Sequence, residues 1–394
     1  MADLNPNISL ENRHAIPKSR LHPVWQSPFR PLFLLGSLFS CAVIIAWSLQ
    51  LTGMLQLSTY GGSLYWHAHE MLFGFTLAIV VGFLLTAVKN WTGNPSAQGR
   101  AIKLMILLWV LARLLWLFSG SPVWLMALVD SAFPFYSAYW LAKPLLNSGQ
   151  KHNWPFVGVL IALGVLQILY HVLLSANPAL ISQLHTVIVL IMANLVFWVG
   201  GRILPFFVQA KLQIPKRDLP SWLTPMAMLC SWSLIPLSVI GEPISLAITA
   251  FSATILHSTR LTMFWRMKAI KEPMLWSLFA ATLWIILGLL ALALQRSEWL
   301  HLITVGGLGG MILSVISRVS LGHIGEPIRA LKWMSLAFIL ISLASLLRFF
   351  AQHIEVFGVS GYSISAILWA LGFGGFLCHY TKRLLSPRKD GKPG

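Results

Sequence analysis

The residues best suited to chemistry are histidines, and the segment Trp66-His67-Ala68-His69-Glu70-Met71 concentrates them inside an apolar run. An imidazole can ligate a metal, carry a proton or make hydrogen bonds. In hydrocarbon it is costly, so an ionisable residue at membrane depth marks a functional candidate. On a helix, residues two apart point about 200° from each other. His67 and His69 therefore cannot share one metal unless the helix begins with an irregular turn. Glu70 stands three residues from His67, on its face. A carboxylate beside a ligating imidazole fixes the tautomer and raises its basicity. His171, His185 and His301 also lie in or at the ends of apolar runs. Imidazole suits haem iron, copper and zinc. For each histidine the alternative is a hydrogen bond to a backbone carbonyl or a place in headgroup water.

The elements that must position these side chains follow from composition. The chain has 394 residues, 57% hydrophobic and 10% charged, which excludes an ordinary soluble enzyme. A helix needs about 20 apolar residues to cross a bilayer. Apolar runs fall at about 31–52, 66–88, 101–119, 122–142, 154–175 and 180–200. They continue at about 219–240, 243–265, 274–294, 299–317, 332–351 and 358–381. The expected fold is an all-α polytopic membrane bundle of about twelve transmembrane helices spanning 31–385, with an N-terminal arm (1–30) and a short tail (386–394). The first thirty residues contain no apolar stretch, so no cleavable signal peptide is expected. Cys41, Cys230 and Cys378 are scattered, with no CxxC, and indicate neither a disulfide framework nor a zinc site.

The net charge of +17 has a topological reading. Of 28 basic residues, 25 fall on one side of the twelve-helix arrangement: in the arm, in alternate connections and in the C-terminal tail. That bias assigns the side, with both termini, to the cytoplasm. It removes the need for a nucleic-acid partner. Tryptophans near both ends of the runs suit an interfacial belt. On this topology His67, His69, His171, His185, His301 and His353 approach the outer leaflet.

Three further features stand out. Arg113 and Asp130 sit at similar depth in adjacent helices and read as a buried ion pair, Arg348 as a snorkelling residue, and Asn194 as a helix-to-helix hydrogen bond. Arg202, Arg260 and Arg318 recur every 58 residues at inner helix ends, where they could converge on an anion such as a haem propionate or an anionic lipid. No CxxCH occurs, because Gly375 stands where the first cysteine before Cys378-His379 would be; any haem would be non-covalent and b-type.

Several segments together resemble the NnrS family of membrane proteins associated with bacterial responses to nitric oxide. They are Pro28 to Phe33 (PFRPLF), Trp66 to Gly74 (WHAHEMLFG), Gly82 to Val88 with Asn90 to Gly93 (NWTG), Gly201 to Phe207, Thr259 to Leu261, His301 to Gly306, and Arg318 to Gly325. Phe207, Ile324 and Glu326 depart from the family pattern. The resemblance implies haem and copper as cofactors, with His67, His69, His185 and His301 as candidate ligands; the residue pattern itself adds Glu70 to orient one of them and His171 as a further candidate. Arg202, Arg260 and Arg318 would then organise the inner side around a second haem or an anion. The implied function is handling of nitric oxide or iron–nitrosyl species in nitrosative stress and denitrification, with no electron donor indicated. Two other readings fit twelve helices: a secondary transporter, and a metal-delivery or assembly factor for denitrification enzymes.

Overall fold

A computed structural model describes residues 21–390, apart from Lys216, Ser297, Glu298 and the side chain of Gln352. Arg13, Lys18, Arg20, Lys216 and Lys392, counted above toward the inner side, lie outside the described residues. The fold is all-α, with one two-residue β-hairpin, Glu355–Val356 against Val359–Ser360. Twelve long helices are described: α1 (Phe29–Leu51), α2 (Ser63–Thr92), α3 (Arg100–Leu115), α4 (Val123–Ser148), α5 (Trp154–Ala176) and α6 (Ile181–Leu212). The second half adds α7 (Leu223–Ile240), α8 (Pro243–Phe264), α9 (Pro273–Ala293), α10 (Trp299–His323), α11 (Met334–Phe349) and α12 (Gly361–Leu385). Each falls on one of the twelve expected runs.

Eight of these, α1, α2, α5, α6, α7, α9, α10 and α12, are long and apolar enough to cross a membrane. The other four fall short for visible reasons. Helices α3 and α11 have 16 residues each. Helix α4 carries Asp130 and Lys143, and α8 is rich in Ser and Thr and carries His257 and Arg260. Consecutive helices pack as hairpins, notably α4 on α5, α7 on α8 and α11 on α12, and α12 returns to α1.

Boundaries differ from expectation most at α6, which runs on past residue 200 to Leu212. Gly200, Gly201 and Pro205 do not end it. A chain crossing hydrocarbon must keep its backbone groups bonded within the segment, so glycine and proline are tolerated there where they would terminate a soluble helix. Arg202 therefore sits inside the helix and not at its end. Gly201 makes room for a neighbour: a Cβ there would collide with Arg260 Nη2.

Two helices change pitch beside a histidine. In α2 the backbone is π-helical over Glu70–Thr76, and Thr76 Oγ1 donates to the Met71 carbonyl five residues back at 2.9 Å. In α10 it is π-helical over Leu302–Gly309, starting on the residue after His301. Such widened turns recur at functional sites because they redirect side chains without breaking the helix. Asn194 bonds across helices as expected, its Nδ2 donating to the Ser231 carbonyl of α7 at 3.0 Å.

Gly74, within the π turn, allows the closest packing in this region. A Cβ there would lie 2.7 Å from both Arg113 Nη1 and Glu70 Oε2, whereas one at Gly158 or Gly374 would meet nothing within 4 Å. Gly74→Ala is expected to destabilise the protein by about 1–3 kcal/mol through overpacking. Gly158→Ala and Gly374→Ala, in open helix positions, should be neutral or gain up to about 1 kcal/mol. Thermal unfolding of the three variants in one detergent checks the contrast.

Candidate functional site

His67 and His69 point to opposite sides of α2, as their spacing requires, and each enters a different environment. His69 is fully buried between α2, α3, α4 and α5. Its Nδ1 is 3.3 Å from Glu70 Oε1 and its Nε2 is 2.8 Å from Asp130 Oδ2. His171 of α5 brings its Nε2 to the same oxygen at 3.1 Å. Arg113 of α3 lies between the two acids, donating from Nη1 to Glu70 Oε2 at 2.8 Å and from Nη2 to Asp130 Oδ1. Trp116 Nε1 donates to Asp130 Oδ2 at 3.3 Å, and its ring stacks on His69 with centroids 4.2 Å apart. Phe73 and Tyr170 complete an aromatic wall around the His69 ring.

The expected Arg113–Asp130 pair is thus present, but it is part of a larger cluster. Glu70 contacts His69 and Arg113, not His67 as the helical spacing suggests. The reason is electrostatic: a fully buried carboxylate needs a cation, and Arg113 on the neighbouring helix supplies one. Asp130 as a partner of two histidines was not foreseen. Its only signal in the sequence is that it is an acid inside an apolar run.

On the other side of α2, His67 lines a cavity of about 410 Å³ bounded by α1, α2, α6, α10, α11 and α12. His185 of α6 and His301 of α10 line the same cavity, with Arg348, Trp47, Tyr362 and Trp369. His67 stacks on Trp47 at 4.2 Å, and its Nδ1 is buried with no hydrogen-bond partner among the described residues. Tyr170 Oη donates to the Tyr65 carbonyl and lies 3.1 Å from His185 Nε2. A phenol carries one proton, so His185 Nε2 is the donor to it and Nδ1 is the basic nitrogen of that ring. Arg348 does not snorkel. It turns into the cavity, donating to His301 Nε2 at 3.2 Å, with its guanidinium 4.6 Å from the Tyr362 ring centroid. Of the four expected ligands, then, His67, His185 and His301 share one cavity and His69 does not. His353 is exposed in the turn after α11.

At the opposite end of the bundle the three arginines have separate partners. Arg202 donates to Asn153 Oδ1 at 2.9 Å and lies by the rings of Phe156 and Trp198. Arg260 donates to His257 Nδ1 at 2.9 Å. Arg318 sits 3.9 Å from the centre of the Phe207 ring, so that departure from the family pattern has a structural counterpart. No described side chain is shared by the three. Glu326, another departure, pairs with Arg383 Nε of α12 at 3.2 Å and with Lys389 Nζ of the C-terminal tail at 2.9 Å. Partial burial opposes its ionisation, but the bonds from Lys389 and Arg383 outweigh that and hold its carboxyl below the usual value.

The Arg113 cluster yields a direct prediction. Removing one partner of a buried ion pair leaves an uncompensated charge, a loss of about 3–5 kcal/mol. Arg113→Met should lower the thermal midpoint by a matching amount, and Arg113→Lys should rescue it only in part, because a point charge cannot bridge both acids as the planar guanidinium does. Unfolding followed by tryptophan fluorescence reads both.

A search of curated proteins finds no match to this chain. The family model described as NnrS protein matches residues 23–388. That stretch includes all the helices and both histidine environments, and the chain belongs to the NnrS family.

Proposed function

We propose that this protein is a haem-binding inner-membrane protein of the nitric oxide response, handling nitric oxide or iron–nitrosyl species at the cavity beside α2. Membership of the NnrS family supports the response, and eight apolar helices support the bilayer setting. One observation carries the cofactor reading. Three imidazoles from three different helices and one arginine line a single cavity of about 410 Å³, and one of them, His67, has a buried nitrogen without a hydrogen-bond partner among the described residues. Cofactor pockets have about this size and are mostly apolar with a few placed polar groups.

His67 and His185 are the residues placed to hold iron, with His301 as a third imidazole in the same space. Arg348 suits a carboxylate substituent, since a guanidinium pairs with carboxylates through a planar fork. Trp47, Tyr362 and Trp369 give flat apolar walls. A bound haem would supply an iron centre at which nitric oxide coordinates. The chain's own contribution is to fix ring orientation: Trp47 stacks His67, Tyr170 orients His185 and Arg348 orients His301. Copper, the second metal expected of the family, would draw on imidazole nitrogens too. We also propose that all twelve helices cross the membrane and that both termini face the cytoplasm, in keeping with the distribution of Lys and Arg.

Two measurements test this reading. Protein purified after expression with adequate haem should show a Soret band, and His67→Ala or His185→Ala should abolish or shift it. A colourless wild type, or a spectrum indifferent to the cavity histidines, overturns it. Single cysteines placed in a background lacking Cys41, Cys230 and Cys378 report topology. At Gly53 a cysteine should react with an impermeant reagent from the outer face only, and at Asn94 from the inner face only.

A further inference from the structure

The second environment, on the far side of α2 from the cavity, has the donor set of a metal centre of its own. His69 Nε2, His171 Nε2 and an Asp130 oxygen come from three different helices, are all buried, and lie within 4.8 Å of one another. Two imidazole nitrogens lie 2.8 and 3.1 Å from one carboxylate oxygen. Ligands around a tetrahedral ion with bonds of about 2.0–2.2 Å sit roughly this close or slightly farther apart.

At His69 the geometry departs from that of an ordinary hydrogen bond. Despite its 2.8 Å approach, His69 Nε2 has no hydrogen-bond partner among the described residues: the oxygen lies off the direction in which the ring N–H would point. His171 Nδ1 is likewise buried and unpartnered. Buried polar atoms are rarely left so.

Charge makes the same case. Glu70 and Asp130 contribute two negative charges and Arg113 one positive, all buried. The remaining negative charge leaves a place for one further positive charge, a metal ion between His69 and Asp130 or a proton on His69, which faces both acids. The surroundings are those of a built metal site. Glu70 stands against the other nitrogen of His69, where a carboxylate sets the tautomer of a ligating imidazole, and Arg113 with Trp116 holds Asp130 in place. Two imidazoles and one carboxylate, with no sulfur, suit zinc or cupric ion over metals that favour thiolate. Three protein ligands leave a coordination position open, which is the pattern of reactive zinc sites and not of purely structural ones.

We infer that His69, Asp130 and His171 form a second centre, for a zinc or cupric ion, closed off by α2 from the cavity lined by His67, His185 and His301. This inference rests on different residues from the haem reading and stands or falls apart from it.

The test is metal content and affinity in the purified full-length protein, stripped with chelator and titrated separately with zinc and with cupric ion. The wild type should retain one tightly bound equivalent beyond any haem iron. His171→Gln and His69→Gln should each lose that equivalent. Glu70→Gln should keep the stoichiometry and weaken binding by about 10- to 100-fold, the usual effect of removing a carboxylate behind a ligand. His67→Ala, which alters only the cavity, should keep it unchanged. Because Asp130→Asn also disturbs Arg113, the two glutamine variants of histidine carry the decision, with thermal unfolding confirming that they fold. A metal equivalent that survives in folded His171→Gln and His69→Gln, or a wild type that binds neither ion stoichiometrically, overturns the inference. A missing Soret band with the metal equivalent intact would instead count against the haem reading alone.

Discussion

The arrangement of this region depends on one buried guanidinium. Arg113 holds Glu70 with one nitrogen and Asp130 with another, and so ties α2, α3 and α4 together within the apolar interior. Three formal charges away from water are tolerable only when every one is paired and hydrogen-bonded. The rest follows from that demand. Glu70 turns toward α3, which sets the side of α2 that carries His69. Asp130 is aimed at α2 and α5, where it meets both His69 and His171. Gly74 is required because any side chain there would occupy the space of the Arg113–Glu70 pair. Trp116 covers the cluster and Trp109 bonds the Gly74 carbonyl, so aromatic residues of α3 seal what Arg113 organises.

With His69 committed to that side, His67 must face the other. Helical geometry alone puts residues two apart on opposite faces, and the π turn that starts at Glu70 widens the helix just beyond them. A second π turn follows His301 in α10. Two helices that lose regular pitch beside a histidine, on the wall of one cavity, suggest a space shaped for an occupant and not one left by imperfect packing. The separation also has a chemical sense. A closed, charged, sulfur-free cluster and a mostly apolar cavity make different demands on dielectric and access, and a single helix keeps them apart at a distance of a few side chains.

Much of this was legible in the sequence. Twelve apolar runs became twelve helices, because a backbone in hydrocarbon has few alternatives to helix. The opposed directions of His67 and His69 came from spacing, the Arg113–Asp130 pair from depth, and the Asn194 bond from its place in mid-helix. What was hidden depended on which helices touch. That Glu70 serves His69, that Asp130 meets two histidines, and that Arg348 turns inward onto His301 are facts of helix-to-helix packing, and nothing in local spacing encodes them. The inner arginines show the same limit from the other direction. Their even spacing suggested convergence, yet Arg202, Arg260 and Arg318 each settle on their own partners. The length of α6 was also obscured, since Gly200, Gly201 and Pro205 carry a stop signal that holds in water and fails in a membrane.

We propose that α2 divides two metal-binding environments. An anomalous-difference map from crystals of the metal-loaded protein tests it most directly. Two separate peaks are expected on opposite faces of α2: one in the cavity near His67 and His185, the other among His69, Asp130 and His171. A single peak ligated by His67 and His69 together would contradict it.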